Sequence, residues 1–158
     1  MLGPFMWEQS YETTLKEAGE TSILHAEASH NGYMKEFSVL HTRRIEWPSY
    51  HQIKIMDSFH GGEGLPLRGA FHLGKCGTVS RKGQIIEVDF DDFLFSLSFS
   101  TEFSLEIYYG SKLPFMGWRS TIYGEWEPIH SIVFSTELQK DFQSKIILKI
   151  VENKKDSL

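Results

Sequence analysis

The chain has 158 residues, enough for one domain with its own core, and its 41% hydrophobic and 23% charged content is that of a soluble globular protein. A net charge of −5 excludes the basic field that a nucleic-acid partner needs. No apolar run approaches the roughly 18 residues of a membrane-spanning helix, so no membrane partner is expected.

Cys76 is the sole cysteine, which rules out an internal disulfide. The N-terminal MLGPFMWEQSYETT has neither the basic nor the apolar region of a signal peptide. Glu8–Gly19 then places Tyr11, Leu15 and Ala18 at roughly helical spacing, with Glu12 and Lys16 as an i,i+4 pair, and predicts the one sizeable helix. Beyond it the periodicity is that of strands: Ile23–Ser29, Glu36–Trp47, Tyr50–Phe59, Leu67–Leu73 and, after a turn at Arg81-Lys82-Gly83, Gln84–Phe90. Phe93, Phe95, Leu97 and Phe99 alternate with smaller or polar residues, and Phe103, Leu105, Ile107 and Tyr109 repeat the pattern. The short linker Ser100-Thr101-Glu102 predicts a hairpin between them. Ile129–Thr136 and Lys145–Val151 are the last strands, with one helical turn allowed within Thr136–Ser144. About nine or ten short strands with little helix predict an all-β, antiparallel two-sheet β-sandwich over residues 1–151, followed by a polar tail at 152–158. Twelve phenylalanines supply most of the 14% aromatic content and suit the space between two sheets.

The chemistry-bearing residues are scattered. His25, His30, His41, His51, His60, His72 and His130 show neither the i,i+2 spacing of strand ligands nor the i,i+4 spacing of helix ligands, and read as separate histidines on strands and loops. Asp89, Asp91 and Asp92 read as a solvated turn. No nucleophile elbow, phosphate loop or dinucleotide fingerprint occurs. Cys76 has no evident base partner and reads as inert. Arg43 and Arg44, neighbours on one strand, must point to opposite faces, so that one can pair inward. His72, between Phe71 and Leu73, reads as a hydrogen-bonded structural residue. The segment Gly117–Pro128, GWRSTIYGEWEP, packs two tryptophans, a tyrosine and an arginine between glycines, as a sugar-binding surface or a loop folded over a sheet would.

In order and interval, Asn31–Tyr33 (NGY), His41–Ile45 (HTRRI), Ile53–Asp57 (IKIMD), Phe71–Leu73 (FHL) and Gly117–Pro128 resemble the C-terminal β-sandwich part of the heparinase II/III-like family. The resemblance covers roughly residues 2–151 and implies a supersandwich-like fold. Members are lyases that break acidic polysaccharides by β-elimination. Their catalytic tyrosine and histidine come mainly from an N-terminal α-helical toroid, and a zinc, where present, is held by His and Asp in the first sandwich strands. The HxHxD-like segment of those strands has no counterpart here, so the resemblance carries over no catalytic residue, no metal ligand and no cofactor. It leaves Trp118, Arg119 and Tyr123 as candidate ligand contacts.

Three functions follow as expectations. The chain is the sandwich portion of a lyase relative, bracing or lining the cleft of a toroid on another domain or chain, and not catalytic alone. Alternatively it is an autonomous carbohydrate-binding or interaction module, or a stand-alone lyase with a Tyr, His and Arg in one pocket, such as Tyr123, His130 and Arg119. An exposed sheet edge predicts a homo-oligomer or an unstable monomer. Full-length relatives are often periplasmic or secreted.

Overall fold

The computed structural model describes residues 11–20 and 23–153. Strands β1 (Thr13–Glu20), β2 (Leu24–Tyr33), β3 (Val39–Ser49), β4 (Gln52–His60), β6 (Val79–Lys82), β7 (Ile85–Asp89), β8 (Phe93–Phe99) and β15 (Phe142–Asn153) form an eight-stranded antiparallel sheet in the order β1-β2-β3-β4-β15-β8-β7-β6. A smaller sheet, β5 (Pro66–His72), β14 (His130–Glu137) and β9 (Ser104–Tyr109), stacks on it in the order β5-β14-β9. Two ribbons, β10 (Ser111–Lys112) with β11 (Phe115–Met116) and β12 (Trp118–Arg119) with β13 (Glu127–Pro128), fill the connection between β9 and β14. The fold is the expected antiparallel sandwich. Among the described residues it has fifteen strands rather than nine or ten, because the four two-residue ribbon strands carry no periodicity to read and β1 reads as helix in the sequence.

The core follows from register. Phe59 opposes Phe142, Ile55 opposes Ile146, and Ile146 opposes Phe99, so one face of β4, β15 and β8 is an apolar ladder interrupted by the buried Asp57–Ser144 pair. Ile86, Val88, Leu97 and Ile146 are fully buried there, and Ile132 of β14 meets them from the small sheet. Rings join the layers: Phe134 lies 5.6 Å from Phe99 and 5.0 Å from Phe103 between centroids. Phe134 rests on Gly69 of β5, its cross-strand partner, at a spot where any Cβ would collide with the ring.

Three local expectations are corrected. Thr13–Glu20 is an edge strand, not helix; Glu8–Ser10 lie outside the described residues. The β1–β2 register slips between Leu15 and Glu17, so Leu15 and Ala18 both oppose alanines, Ala28 and Ala26, on one face. This bulge at Lys16 puts apolar residues three apart on one side of a strand and imitates helical spacing. The turn at Ser100-Thr101-Glu102 is no hairpin: β8 and β9 lie in different sheets, and the turn carries the chain across. It is held by Ser100, whose Oγ accepts from the Lys145 N–H at 2.7 Å, and by Gln84 Nε2, which donates to the Ser100 and Phe103 carbonyls at 2.9 and 2.8 Å. No helical turn forms between Glu137 and Phe142; instead the only described helix, α1, is the single turn Met34–Phe37, ended by Ser38 in the left-handed region.

The small sheet covers only the β4–β15–β8–β7 part of the large one. On the β1–β3 part, Leu15 opposes Ala28, and Leu24 opposes Trp47, on the same face as the core ladder. Leu15 is 65% exposed and Leu24, Trp47, Tyr33 and Phe37 are also open to solvent. Between this open face and β5 lies a cavity of about 350 Å³ lined by Tyr33, Phe37, Val39, Phe59, Leu67 and Leu138 among others.

Candidate functional site

Gly117 organises the aromatic segment. Its carbonyl accepts from the Gly110 and Ile129 N–H groups at 3.0 and 2.8 Å, and its φ of +80° with backbone atoms crowding the Cβ position admits only glycine. The knot fixes where β12 starts. Trp118 then donates from Nε1 to the Ser111 carbonyl at 2.8 Å and stacks near-parallel with Phe115, half-buried over Gly110. Tyr123 shares its segment but not its fate: it is fully exposed (103%), as the loop tip at 120–126 projects from the sheets. Of the three candidate contacts, Trp118 therefore packs on the β10–β11 ribbon and Tyr123 stands in solvent.

Arg119, the third, is brought next to chemistry that the sequence hides. It opposes Glu127 across the β12–β13 ribbon, with Nε donating to Oε1 at 2.6 Å. Together they border a cavity of about 220 Å³ whose other walls include Lys75, Cys76, Tyr109 and His130. Cys76 does have a basic neighbour: its Sγ lies 3.5 Å from His130 Nδ1, which corrects the reading of Cys76 as partnerless. The two are 54 positions apart, so only the pairing of β14 with its neighbours reveals them. Burial raises the Cys76 pKa and lowers that of His130. Both directions favour a neutral thiol beside a neutral imidazole over a thiolate–imidazolium pair, so the thiol is not activated. Tyr109, its ring 4.6 Å from His130, supplies the tyrosine that Tyr123 was expected to give to an Arg119–His130 pocket.

A second constellation lies between the open face and the small sheet. Arg43 grips Asp57 with two hydrogen bonds, Nε to Oδ1 at 2.7 Å and Nη2 to Oδ2 at 3.0 Å. The Gly32 N–H donates to His30 Nδ1 at 3.2 Å, which leaves the proton on His30 Nε2. That N–H faces His41 Nδ1 at 2.9 Å, and His41 Nε2 in turn donates to Asp57 Oδ1 at 2.7 Å. Burial alone would push the Asp57 carboxyl up, but the hydrogen bonds from His41 and Arg43 outweigh it and hold it below its ordinary value. His41 also stacks on Phe59, anchoring the chain to the core. Arg44 takes the other face, as alternation requires, and pairs with Glu17 at 2.9 Å and Glu46 at 3.0 Å. Three of the scattered histidine, arginine and acid motifs are thus one network, invisible in spacing because it is closed by strand register.

His72 is the hydrogen-bonded residue expected, 2.8 Å from the buried Ser131 hydroxyl. Among the described residues no three His, Cys, Asp or Glu side chains are placed to hold one metal ion. No described helix is long and apolar enough to cross a membrane.

Residues 1–146 match the family described as Heparinase II/III-like, C-terminal. No curated protein sequence matches the chain. Among solved structures it is similar to a heparinase III gene product (TM-score 0.69, 16% identity, 92% of this chain and 22% of that one). It is also similar to the heparan sulfate lyase HepC from Pedobacter heparinus (TM-score 0.71, 11% identity, 88% and 22%). A further structure titled heparinase III gives a TM-score of 0.68 at 13% identity, over 89% and 21% of the two chains. The chain therefore spans about a fifth of the length of these relatives.

Proposed function

The chain belongs to the heparinase II/III-like family by its C-terminal domain, and from that membership we propose that it is the sandwich portion of a polysaccharide-lyase relative, bracing or lining the cleft of a catalytic toroid rather than reacting alone. The observation that carries this reading is the open inner face of β1–β3. A sheet that buries Phe59, Ile146 and Leu97 on one half but exposes Leu15, Leu24 and Trp47 on the same face of the other half is built to be covered. The cavity beside α1 continues that apolar surface. In this reading residues 1–151 act as one domain that needs no metal, Trp118 secures the loop, and Arg119 and Tyr123 are the contacts offered to ligand or neighbouring domain. The assembled protein acts on an acidic polysaccharide.

Two measurements test it. The pure chain is incubated with alginate, heparin and hyaluronan while the ultraviolet absorbance of the unsaturated elimination product is followed; no product is expected, and turnover overturns the reading. In parallel, the chain should bind an anilinonaphthalene dye, and Leu15→Lys with Leu24→Lys should abolish that binding. A native chain that takes up no dye has no such face to cover.

A further inference from the structure

We infer that the cavity bounded by Arg119, His130 and Tyr109 is a binding site for a small carboxylate. It shares no lining residue with the apolar cavity beside α1 and does not depend on the bracing role. Its volume of about 220 Å³ lies below the roughly 300 Å³ at which drug-sized pockets begin, so it suits a ligand of about one ring.

The hydrogen-bonding capacity of this cavity is weighted toward donors. Arg119 commits Nε to Glu127, while its two Nη groups bond no described residue. The Cys76 thiol, its pKa raised by burial, keeps its proton and donates to His130 Nδ1 at 3.5 Å. The His130 ring, neutral for the same reason, then carries its proton on Nε2, a further donor without a described partner. Lys75 stands exposed at the rim. The one acid of the lining, Glu127, is already tied to Arg119, and two cations against one anion leave the wall positive in a chain of net charge −5. A planar carboxylate matches a guanidinium whose outer edge is free, with an imidazole N–H beside it. Tyr109, packed on His130, offers a flat wall to the body of the ligand.

Cys76 is the chain's one cysteine, so its alkylation reports on the cavity without ambiguity. Iodoacetate carries the carboxylate, and iodoacetamide is its neutral counterpart. Each forms an S–CH2 bond as iodide leaves and the thiol proton passes to buffer. At about pH 8.5, where alkylation of an ordinary thiol is brisk, the iodoacetate-to-iodoacetamide rate ratio of the folded chain should exceed that of the urea-unfolded chain at least tenfold. Arg119→Ala should return the ratio to the unfolded value. Benzoate or glucuronate should protect Cys76 while benzyl alcohol and glucose do not; protection by glucuronate alone identifies a sugar acid, and protection by both identifies a general carboxylate. Lys75→Ala, at the rim, should lower the preference severalfold and decides the matter should Arg119→Ala fail to fold. Equal ratios in folded and unfolded chains, an unchanged preference in either foldable variant, or absence of protection by both carboxylates overturns the inference.

Discussion

His30 Nε2 lies 2.9 Å from His41 Nδ1, and with the Gly32 N–H on its other nitrogen the His30 ring has no place for a second proton. Burial and the neighbouring His41 and Arg43 hold its pKa below the ordinary histidine value. The unfolded chain therefore binds more protons than the folded one as pH falls through about 6.5, so the stability held by neutral His30 is full above that pH and is lost below it. Burial of His130 acts in the same sense. His25 acts oppositely, because the Ile23 carbonyl and Glu17 raise its pKa; its contribution is full at low pH and disappears as pH rises through the folded value. The urea midpoint should fall from pH 7.5 to pH 5, His30→Gln should flatten that dependence, and His25→Gln should steepen it. An unchanged slope in His30→Gln contradicts the tautomer assignment.

Arg43 and Arg44 are adjacent, equal in charge and unequal in consequence. Arg43, itself half exposed, serves Asp57, which is 5% exposed and also bonded by His41, whereas Arg44 joins a network with Glu17 and Glu46 on the opposite face of the sheet. Asp57→Asn leaves buried donors facing an amide and should cost about 2 kcal/mol. Arg44→Ala removes surface ion pairs and should cost no more than about 0.5 kcal/mol. Urea unfolding of the two variants at pH 7.5 checks the ratio, and comparable losses refute the assignment of inward and outward faces.

Much of this was legible beforehand, and the failures have physical causes. The alternating rows Phe93–Phe99 and Phe103–Tyr109 identify their strands, because half-burial imposes period two. They do not say that the two strands part into different sheets, since a three-residue linker fits a hairpin or a crossover equally. The opposite faces of Arg43 and Arg44 follow from pleating alone. That Asp57, His41 and His30 complete the inward side depends on the register of three strands, which no spacing reports. Arg119 could be singled out from its glycine-punctuated segment and paired with His130 as a pocket partner, but Cys76 and Tyr109 could not be assigned to them. Their cavity is assembled from β14, β9 and the loop after β5.

Gly69 is a position where a methyl group should be costly. Its Cβ site is occupied by the Phe134 ring across the β5–β14 pair, and Phe134 is wedged between Phe99, Phe103 and Phe71 and cannot retreat. Gly69→Ala should destabilise by about 1–3 kcal/mol through overpacking. Adding Phe134→Leu to Gly69→Ala should cost less than the two single changes summed, because the shorter side chain vacates the contested space. Additive losses in thermal or urea unfolding locate the penalty elsewhere.

The open face should also govern association. Edge strand β1 carries Leu15 on its inner side, and among the described residues its protection is the bulge at Lys16 rather than a covering element. With Leu24 and Trp47 exposed on the strands behind it, two copies can bury these residues against each other. Size-exclusion elution of the isolated chain should move to larger size as concentration rises. Leu15→Lys places a charge at the centre of the contact and should restore concentration-independent monomer, while Ile122→Lys, on the distant aromatic loop, should leave the shift intact. A monomer at every concentration removes the face as a self-association surface, and a shift abolished by Ile122→Lys transfers it to the loop.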